Sequence, residues 1–173
     1  MPRTPHRIRP SAATIAVGGA GVLVSALALG LMTTPSSAFL APFASTAAIK
    51  YAAPESPMAQ PRSVLGGHLI GALVGVIVGQ LIGGSVIGPA VAAAIAMAFM
   101  IPSHTVHPPA IGVAVLACQH AATPWASLEA VAVAGAITTV CAVVLYRVLH
   151  RTSYPVAGWA QGFLAPRATP ADS

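Results

Sequence analysis

The fold of this chain is decided by residues 104–114, which read HTVHPPAIGVA and stand between two strongly apolar runs. Pro108 and Pro109 each lack a backbone N–H, and the residue before a proline is displaced from the helical region of backbone space. A helix that passes Met100 must therefore end in this stretch, whereas a new helix can begin at the prolines. In hydrocarbon, such irregular backbone survives only where it is buried in protein or lines a watery cavity. The stretch predicts a helix that is broken inside a membrane.

The composition of the chain indicates a membrane protein. Hydrophobic residues make up 56% of the 173 residues and charged residues only 6%, whereas soluble domains contain about a quarter charged residues. The net charge of +5 comes without any basic patch interleaved with aromatic residues. We therefore expect the lipid bilayer, and not nucleic acid, as the partner of this surface.

The basic residues at the two ends of the chain predict its orientation. Arg3, Arg7 and Arg9 precede the first apolar run, and Arg147 and Arg151 follow the last one. Because Lys and Arg accumulate on the cytoplasmic side of membrane helices, both termini are predicted to be cytoplasmic. The expected location is a bacterial cytoplasmic membrane.

The apolar runs divide the chain into a basic disordered tail (1–10), a transmembrane domain (11–150) and a flexible C-terminal tail (151–173). The first run, residues 11–32, is long enough to cross a bilayer. A cleaved signal peptide is the alternative, because residues 36–38 resemble a cleavage site after a basic leader and an apolar core. The run is longer than the usual signal core of about 7 to 15 residues, which favours a membrane span.

Two blocks of sequence resemble the HPP family of small integral membrane proteins. The first is the triplet His107-Pro108-Pro109, after which the family is named. The second is residues 53–70, APESPMAQPRSVLGGHLI, which is similar to the family pattern Ser-Pro-Leu-Ala-Gln-Pro-Arg-Asn-Val-Ile-Gly-Gly-His-Leu. The resemblance extends over residues 34–147, although Ile111 and Ala44 stand where members usually have glycine.

The resemblance implies a multi-span membrane protein related to plastid and cyanobacterial proteins that are linked to nitrite transport. The function it predicts is a transporter or channel for a small inorganic anion of the nitrite type. A non-transporting membrane assembly or regulatory subunit is the alternative. No phosphate loop, dinucleotide fingerprint or nucleophile elbow occurs in the sequence, so we expect no enzymatic activity and no cofactor.

The predicted fold is an all-helical bundle of two repeats, each with two longer helices around a short proline-led helix. The apolar run that begins at Pro42 echoes the one that begins at Pro109, which suggests an internal repeat. The bundle then has either four full spans plus two short helices, or six crossings in a 3+3 inverted repeat. Only the positions of Lys50 and Arg62 discriminate between these two arrangements. Six crossings are favoured, because they place every Lys and Arg on the cytoplasmic side.

A transport pathway is predicted between the two short helices, whose first N–H groups and positive dipole ends would attract an anion. We expect Gln60 and Arg62 at an inner vestibule. Three of the candidate residues also have a structural alternative. His107 could anchor free backbone carbonyl groups, His68 could form an interhelical hydrogen bond, and Arg62 could snorkel to the lipid headgroups. The residues predicted to line the pathway are His107, Pro108, Pro109, His68, Ser45, Thr46 and Gly112.

A stripe of glycines at every fourth position follows Ser63, which we expect to cap the N-terminus of its helix. Such a stripe lets a second helix approach closely, and we expect it to pack within the chain, with a homo-oligomer left open. The stripe comprises Gly67, Gly71, Gly75, Gly79 and Gly83.

A zinc site is not expected, although four candidate ligands lie at the two ends of the second short helix: His104, His107, Cys118 and His120. About eleven helical residues separate His107 from Cys118, which places them roughly 16 Å apart at 1.5 Å per residue. That separation is too large for ligands of one metal ion.

Overall fold

The computed structural model describes residues 40–147 without a break, Tyr154 and Pro155, and five isolated positions before residue 40. The basic tail (1–10) and nearly all of the predicted first span (11–32), with its signal-peptide alternative, lie outside the described residues. The same is true of the C-terminal tail apart from Tyr154 and Pro155.

Five α-helices and one short 3-10 helix form the described part of the chain. Every regular element in this part is helical, which confirms the prediction of an all-helical fold. The α-helices are α1 (Leu40–Ala52), α2 (Pro61–Ile82), α3 (Ile87–Met100), α4 (Pro108–Gln119) and α5 (Pro124–Leu145), and the 3-10 helix, Pro57–Ala59, lies between α1 and α2.

Proline starts three of these helices: α2, α4 and α5 each have one at the first helical position. In α2 the residue before the helix is Gln60, with extended backbone angles of φ −69° and ψ 149°. Because Pro61 already has a helical φ and holds the residue before it extended, the helix begins there. The prediction that Ser63 caps this helix is therefore wrong, since Ser63 lies inside its first turn.

The predicted break between the second pair of apolar runs is confirmed. Helix α3 ends at Met100 and α4 begins at Pro108. His104 turns the chain with φ 54°, and His107 has extended backbone angles of φ −142° and ψ 99°. The two prolines thus start a new helix instead of kinking a continuous one.

Helix α2 lies at the centre of the bundle and packs against α3, α4 and α5, most extensively against α4. Helix α1 packs against α4 and α5. Small side chains form much of the core between α2, α3 and α4, including Ala92, Ala96, Ala110 and Ala114. The helices can approach closely because these side chains are short.

Two helical segments are long and apolar enough to cross a bilayer, Pro61–Ile82 and Ser127–Leu145. Helices α3 and α4 are apolar but have only 14 and 12 residues. At 1.5 Å per residue they are about 21 and 18 Å long, shorter than a hydrocarbon core of about 30 Å. The four-span and six-crossing arrangements, and the internal repeat, stay predictions.

Tyr154 anchors the chain after α5. Its side chain is buried, its hydroxyl donates a hydrogen bond to the Ala59 carbonyl oxygen at 2.7 Å, and its ring centroid lies 5.4 Å from that of Tyr146. Burial raises the pKa of Tyr154, so the hydroxyl keeps its proton and can donate. The chain predicted to be a flexible tail from residue 151 therefore returns to the fold at Tyr154.

Candidate functional site

Three polar side chains from three separate segments meet in the interior: Thr46 of α1, His68 of α2 and His107 directly before α4. The Thr46 hydroxyl oxygen lies 2.9 Å from His107 Nε2 and 3.3 Å from His68 Nε2. All three side chains have 1% exposure or less. We call this group the His–Thr cluster.

The other ring nitrogen of each histidine faces a backbone carbonyl oxygen. His68 Nδ1 lies 2.7 Å from the Val64 oxygen, and His107 Nδ1 lies 2.8 Å from the Met58 oxygen. A carbonyl oxygen can only accept, so each Nδ1 carries the hydrogen and donates it. In a neutral imidazole the Nε2 atom is then an acceptor, and both Nε2 atoms point at Thr46.

Aromatic and small residues hold the two imidazoles in place. The Phe43 ring stacks on His68 with centroids 4.6 Å apart and an interplanar angle of 12°, and the two imidazole centroids are 4.9 Å apart. A Cβ at Gly67 would lie 2.8 Å from the His107 Cβ. The absence of that side chain therefore lets His107 approach α2 beside His68.

Lys50 forms a second polar group one helical turn beyond Thr46 and on the same face of α1. It is fully buried, and its ammonium donates hydrogen bonds to Thr139 Oγ1 at 2.9 Å and to Thr138 Oγ1 at 3.4 Å. Both hydroxyls belong to α5. We call Lys50, Thr138 and Thr139 the lysine site.

Sequence reasoning missed the lysine site because it placed Lys50 at the end of an apolar run, as a charge that reports topology. The structure corrects this: Lys50 is enclosed between α1 and α5 and cannot be counted as a loop charge. Two signals pointed to it, the four-residue spacing from Thr46 and the pair Thr138-Thr139 in an otherwise apolar helix. Such spacing places two side chains on one face of a helix.

The other predicted pathway residues are not all in the cluster. The side chains of Ser45 and Pro108 are exposed, whereas Pro109 is buried. A Cβ at Gly112 would lie 3.3 Å from Pro42 Cγ, so Gly112 serves the contact between α4 and α1. The structure brings His107, His68 and Thr46 together and leaves Ser45 outside.

The start of α4 does not offer the free N–H donors that the anion prediction assumed. Pro108 and Pro109 have no N–H, and the Ala110 N–H donates to the His107 carbonyl oxygen at 2.9 Å. The first three positions of the helix therefore present no unused donor. For α4, this part of the prediction is wrong.

The two residues predicted for an inner vestibule bind nearby backbone. Gln60 Nε2 donates to the carbonyl oxygens of Pro54 at 2.6 Å and Ser56 at 3.2 Å. An Arg62 guanidinium nitrogen donates to the Ser103 oxygen at 2.8 Å. Arg62 thus ties the start of α2 to the turn after α3.

The glycine stripe of α2 lies against α4. A Cβ at Gly75 would lie 2.8 Å from the Ala117 Cβ and would overlap the Ala114 carbonyl oxygen. Similar overlaps with backbone would occur at Gly71 and Gly79, whereas Gly83 has open space around it. Gly83 instead ends the helix with a positive φ of 92°, which glycine adopts without strain.

The other two histidines in the described part of the chain, His104 and His120, lie apart from the His–Thr cluster. His104 is exposed at the turn after α3, and His120 Nδ1 donates to the Leu116 oxygen at 2.9 Å at the end of α4. Within residues 40–147, no three His, Cys, Asp or Glu side chains stand close enough together to hold a metal ion.

A sequence profile described as "HPP, transmembrane region" matches residues 5–155 of this chain. No curated protein and no solved structure gives a significant match. The matched range covers most of the chain and includes every residue of the His–Thr cluster and the lysine site.

Proposed function

Because this chain belongs to the HPP family of integral membrane proteins, we propose that it transports a small inorganic anion across the membrane. The observation that carries the proposal is the buried side chain of Lys50, whose amino nitrogen is hydrogen-bonded only to the hydroxyl groups of Thr138 and Thr139 among the described residues. Lys50 is also the sole lysine of the chain.

A buried ammonium is costly unless a negative charge compensates it. The carboxylates in the described part of the chain, Glu55 and Glu129, are both exposed, so neither neutralises Lys50 in the interior. Ionisable residues at membrane depth mark substrate pathways by default. A small anion beside Lys50 would supply the missing charge and could accept further hydrogen bonds from the threonine hydroxyls.

The position of the two polar groups suits a transport site. Thr46 and Lys50 lie on α1, and His107 directly precedes α4. These two short helices stand in corresponding positions of the proposed repeats, which is where broken helices form binding sites in transporters. Because Thr46, Lys50 and both histidines are buried, this is a closed conformation, and transport requires α1 and α4 to separate on alternate sides.

The membrane topology and the substrate are proposed from the positions of the charged residues and from the family resemblance. With Lys50 buried in the bundle, Arg62 is the remaining charge that favours six crossings, and we propose these as a 3+3 inverted repeat with both termini on the cytoplasmic side of a bacterial inner membrane. The enclosed site favours a small anion, and nitrite is the first to test because the HPP resemblance implies it.

Anion uptake into proteoliposomes tests the function. Vesicles with the wild-type protein should take up nitrite faster than protein-free vesicles, and a panel of small anions should compete for uptake while inorganic cations should not. If no small anion is taken up above the protein-free rate, the transport proposal is wrong and the non-transporting assembly subunit becomes the better account.

Chemical modification of Lys50 gives a second prediction. A membrane-permeant acylating reagent has one lysine to modify, and in the closed conformation that side chain is buried. We expect slow modification that a transported anion slows further by occupying the site. Peptide mass spectrometry of residue 50 measures the rate, and fast modification unaffected by any anion in the panel would contradict an anion site at Lys50.

A further inference from the structure

We propose that the His–Thr cluster binds one proton together with the anion at Lys50, so that the two are carried as a pair. The proposal rests on the proposed function and names what must accompany the anion.

The neutral cluster has too few hydrogens for its acceptors. Both Nδ1 atoms use their hydrogens on the carbonyl oxygens of Val64 and Met58. The Thr46 hydroxyl has one hydrogen and three acceptors around it: the Pro42 carbonyl oxygen at 2.9 Å and the two Nε2 atoms. At least one buried Nε2 is therefore left without a donor, which is unfavourable for a buried polar group.

One added proton completes the arrangement. A hydrogen on His107 Nε2 can donate to Thr46 Oγ1 across the 2.9 Å contact, and the Thr46 hydroxyl can then donate to His68 Nε2 at 3.3 Å instead of to the Pro42 oxygen. The hydroxyl accepts from one imidazole and donates to the other, so the two rings share one positive charge. A second proton would place two like charges in one buried site and is excluded by their repulsion.

The lysine site decides when that proton is bound. Lys50 is close enough to interact electrostatically with both imidazoles, and Cys141 of α5 and Tyr146 are further titratable side chains near Lys50. The ammonium and the burial both oppose a further positive charge while the site is empty. An anion beside Lys50 removes that opposition, so each ligand raises the affinity for the other by the same factor.

The transport step is balanced in atoms and charge. One anion and one proton enter from the same side, a hydrogen forms a bond with Nε2, and both ligands leave on the other side with that bond broken. No bond of the anion changes, and no net charge crosses the membrane. A one-unit pH difference, acidic outside, should therefore sustain about tenfold accumulation of the anion inside.

The first measurement counts protons on the purified wild-type protein with nitrite as the probe. Calorimetric titration near pH 7 in two buffers of different ionisation enthalpy gives the number of protons taken up per bound nitrite. We expect a value close to one. Nitrite binding with no proton uptake would overturn the proposal, whatever the variants do.

Thr46 is a positioning residue, and two variants test it with the same proton count. Thr46→Val removes the shared hydroxyl and should bring the count toward zero, whereas Thr46→Ser keeps the hydroxyl and should restore it. An unchanged count in Thr46→Val would overturn the role of the hydroxyl. Should Thr46→Val fail to fold, His68→Gln replaces it, since it removes one of the two titratable rings and should lower the count in the same way.

Flux separates this proposal from the proposed function. Accumulation of nitrite to about tenfold under a one-unit pH gradient, after subtraction of the protein-free uptake, supports both anion transport and the proton pairing. Uptake that ignores the pH gradient and moves one negative charge per nitrite overturns the proton pairing and leaves anion transport standing. Absence of both binding and uptake overturns the proposed function and the pairing with it.

Discussion

Gly75→Leu should strongly destabilise the folded state of this protein in the membrane. A Cβ at Gly75 would already overlap the Ala114 carbonyl oxygen and lie 2.8 Å from the Ala117 Cβ, and leucine adds three more carbons. Backbone cannot yield as a flexible side chain does, so α2 and α4 must separate. Overpacking of a core commonly costs about 1 to 3 kcal/mol, and we expect the upper end or more here, against a total stability of about 5 to 15 kcal/mol.

Gly135 provides the matched control, because a Cβ there would meet only the end of the Leu65 side chain at 3.4 Å. Gly75→Ala should lower the thermal unfolding temperature in detergent, while Gly135→Ala should leave it unchanged or raise it, since alanine favours a helix by about 1 kcal/mol over glycine. Size-exclusion chromatography is measured alongside. If Gly75→Leu stays folded and only shifts from a larger species to a monomer, the stripe is an oligomer interface and the intramolecular packing is wrong.

Lys50→Met should abolish anion uptake while the protein stays folded. Methionine has a similar length and no charge, and replacing a buried ion by an apolar side chain is often neutral or stabilising. The anion loses a charged hydrogen-bond donor, a contact worth about 1.5 to 3 kcal/mol. We therefore expect roughly 10- to 150-fold weaker anion binding and uptake close to the protein-free rate.

Arg147→Met is the control for loss of one positive charge, since Arg147 is exposed at the end of α5. It should keep the wild-type uptake rate. Wild-type uptake in folded Lys50→Met would show that the buried ammonium is a structural feature, and the anion proposal would lose the observation on which it rests.

Much of the candidate site was predictable from local sequence. His107, His68 and Thr46 were singled out as polar residues in or beside apolar segments, and the structure brings them within hydrogen-bond distance. The missing donors at the start of α4 were also predictable in part, because Pro108 and Pro109 visibly lack an N–H. The Ala110 hydrogen bond to His107, by contrast, depends on the backbone angles of the turn.

Lys50 could not be placed from sequence alone. A lysine near the end of a short apolar run can snorkel to the membrane surface or stay inside, and the choice depends on whether another helix offers hydroxyl groups at the right height. Thr138 and Thr139 do so from a segment almost 90 residues away in the chain. Pairing over that distance is a property of packing.

The sequence by itself determined the helical class, the break before Pro108 and the face of α2 that carries glycine, because proline geometry, hydropathy and four-residue spacing act within a few residues. Only the tertiary structure decided which helix fills that face, how deep Lys50 lies and which nitrogen of each histidine faces Thr46. These features arise where α1, α2, α4 and α5 meet, and no local pattern specifies the distance between side chains on different helices.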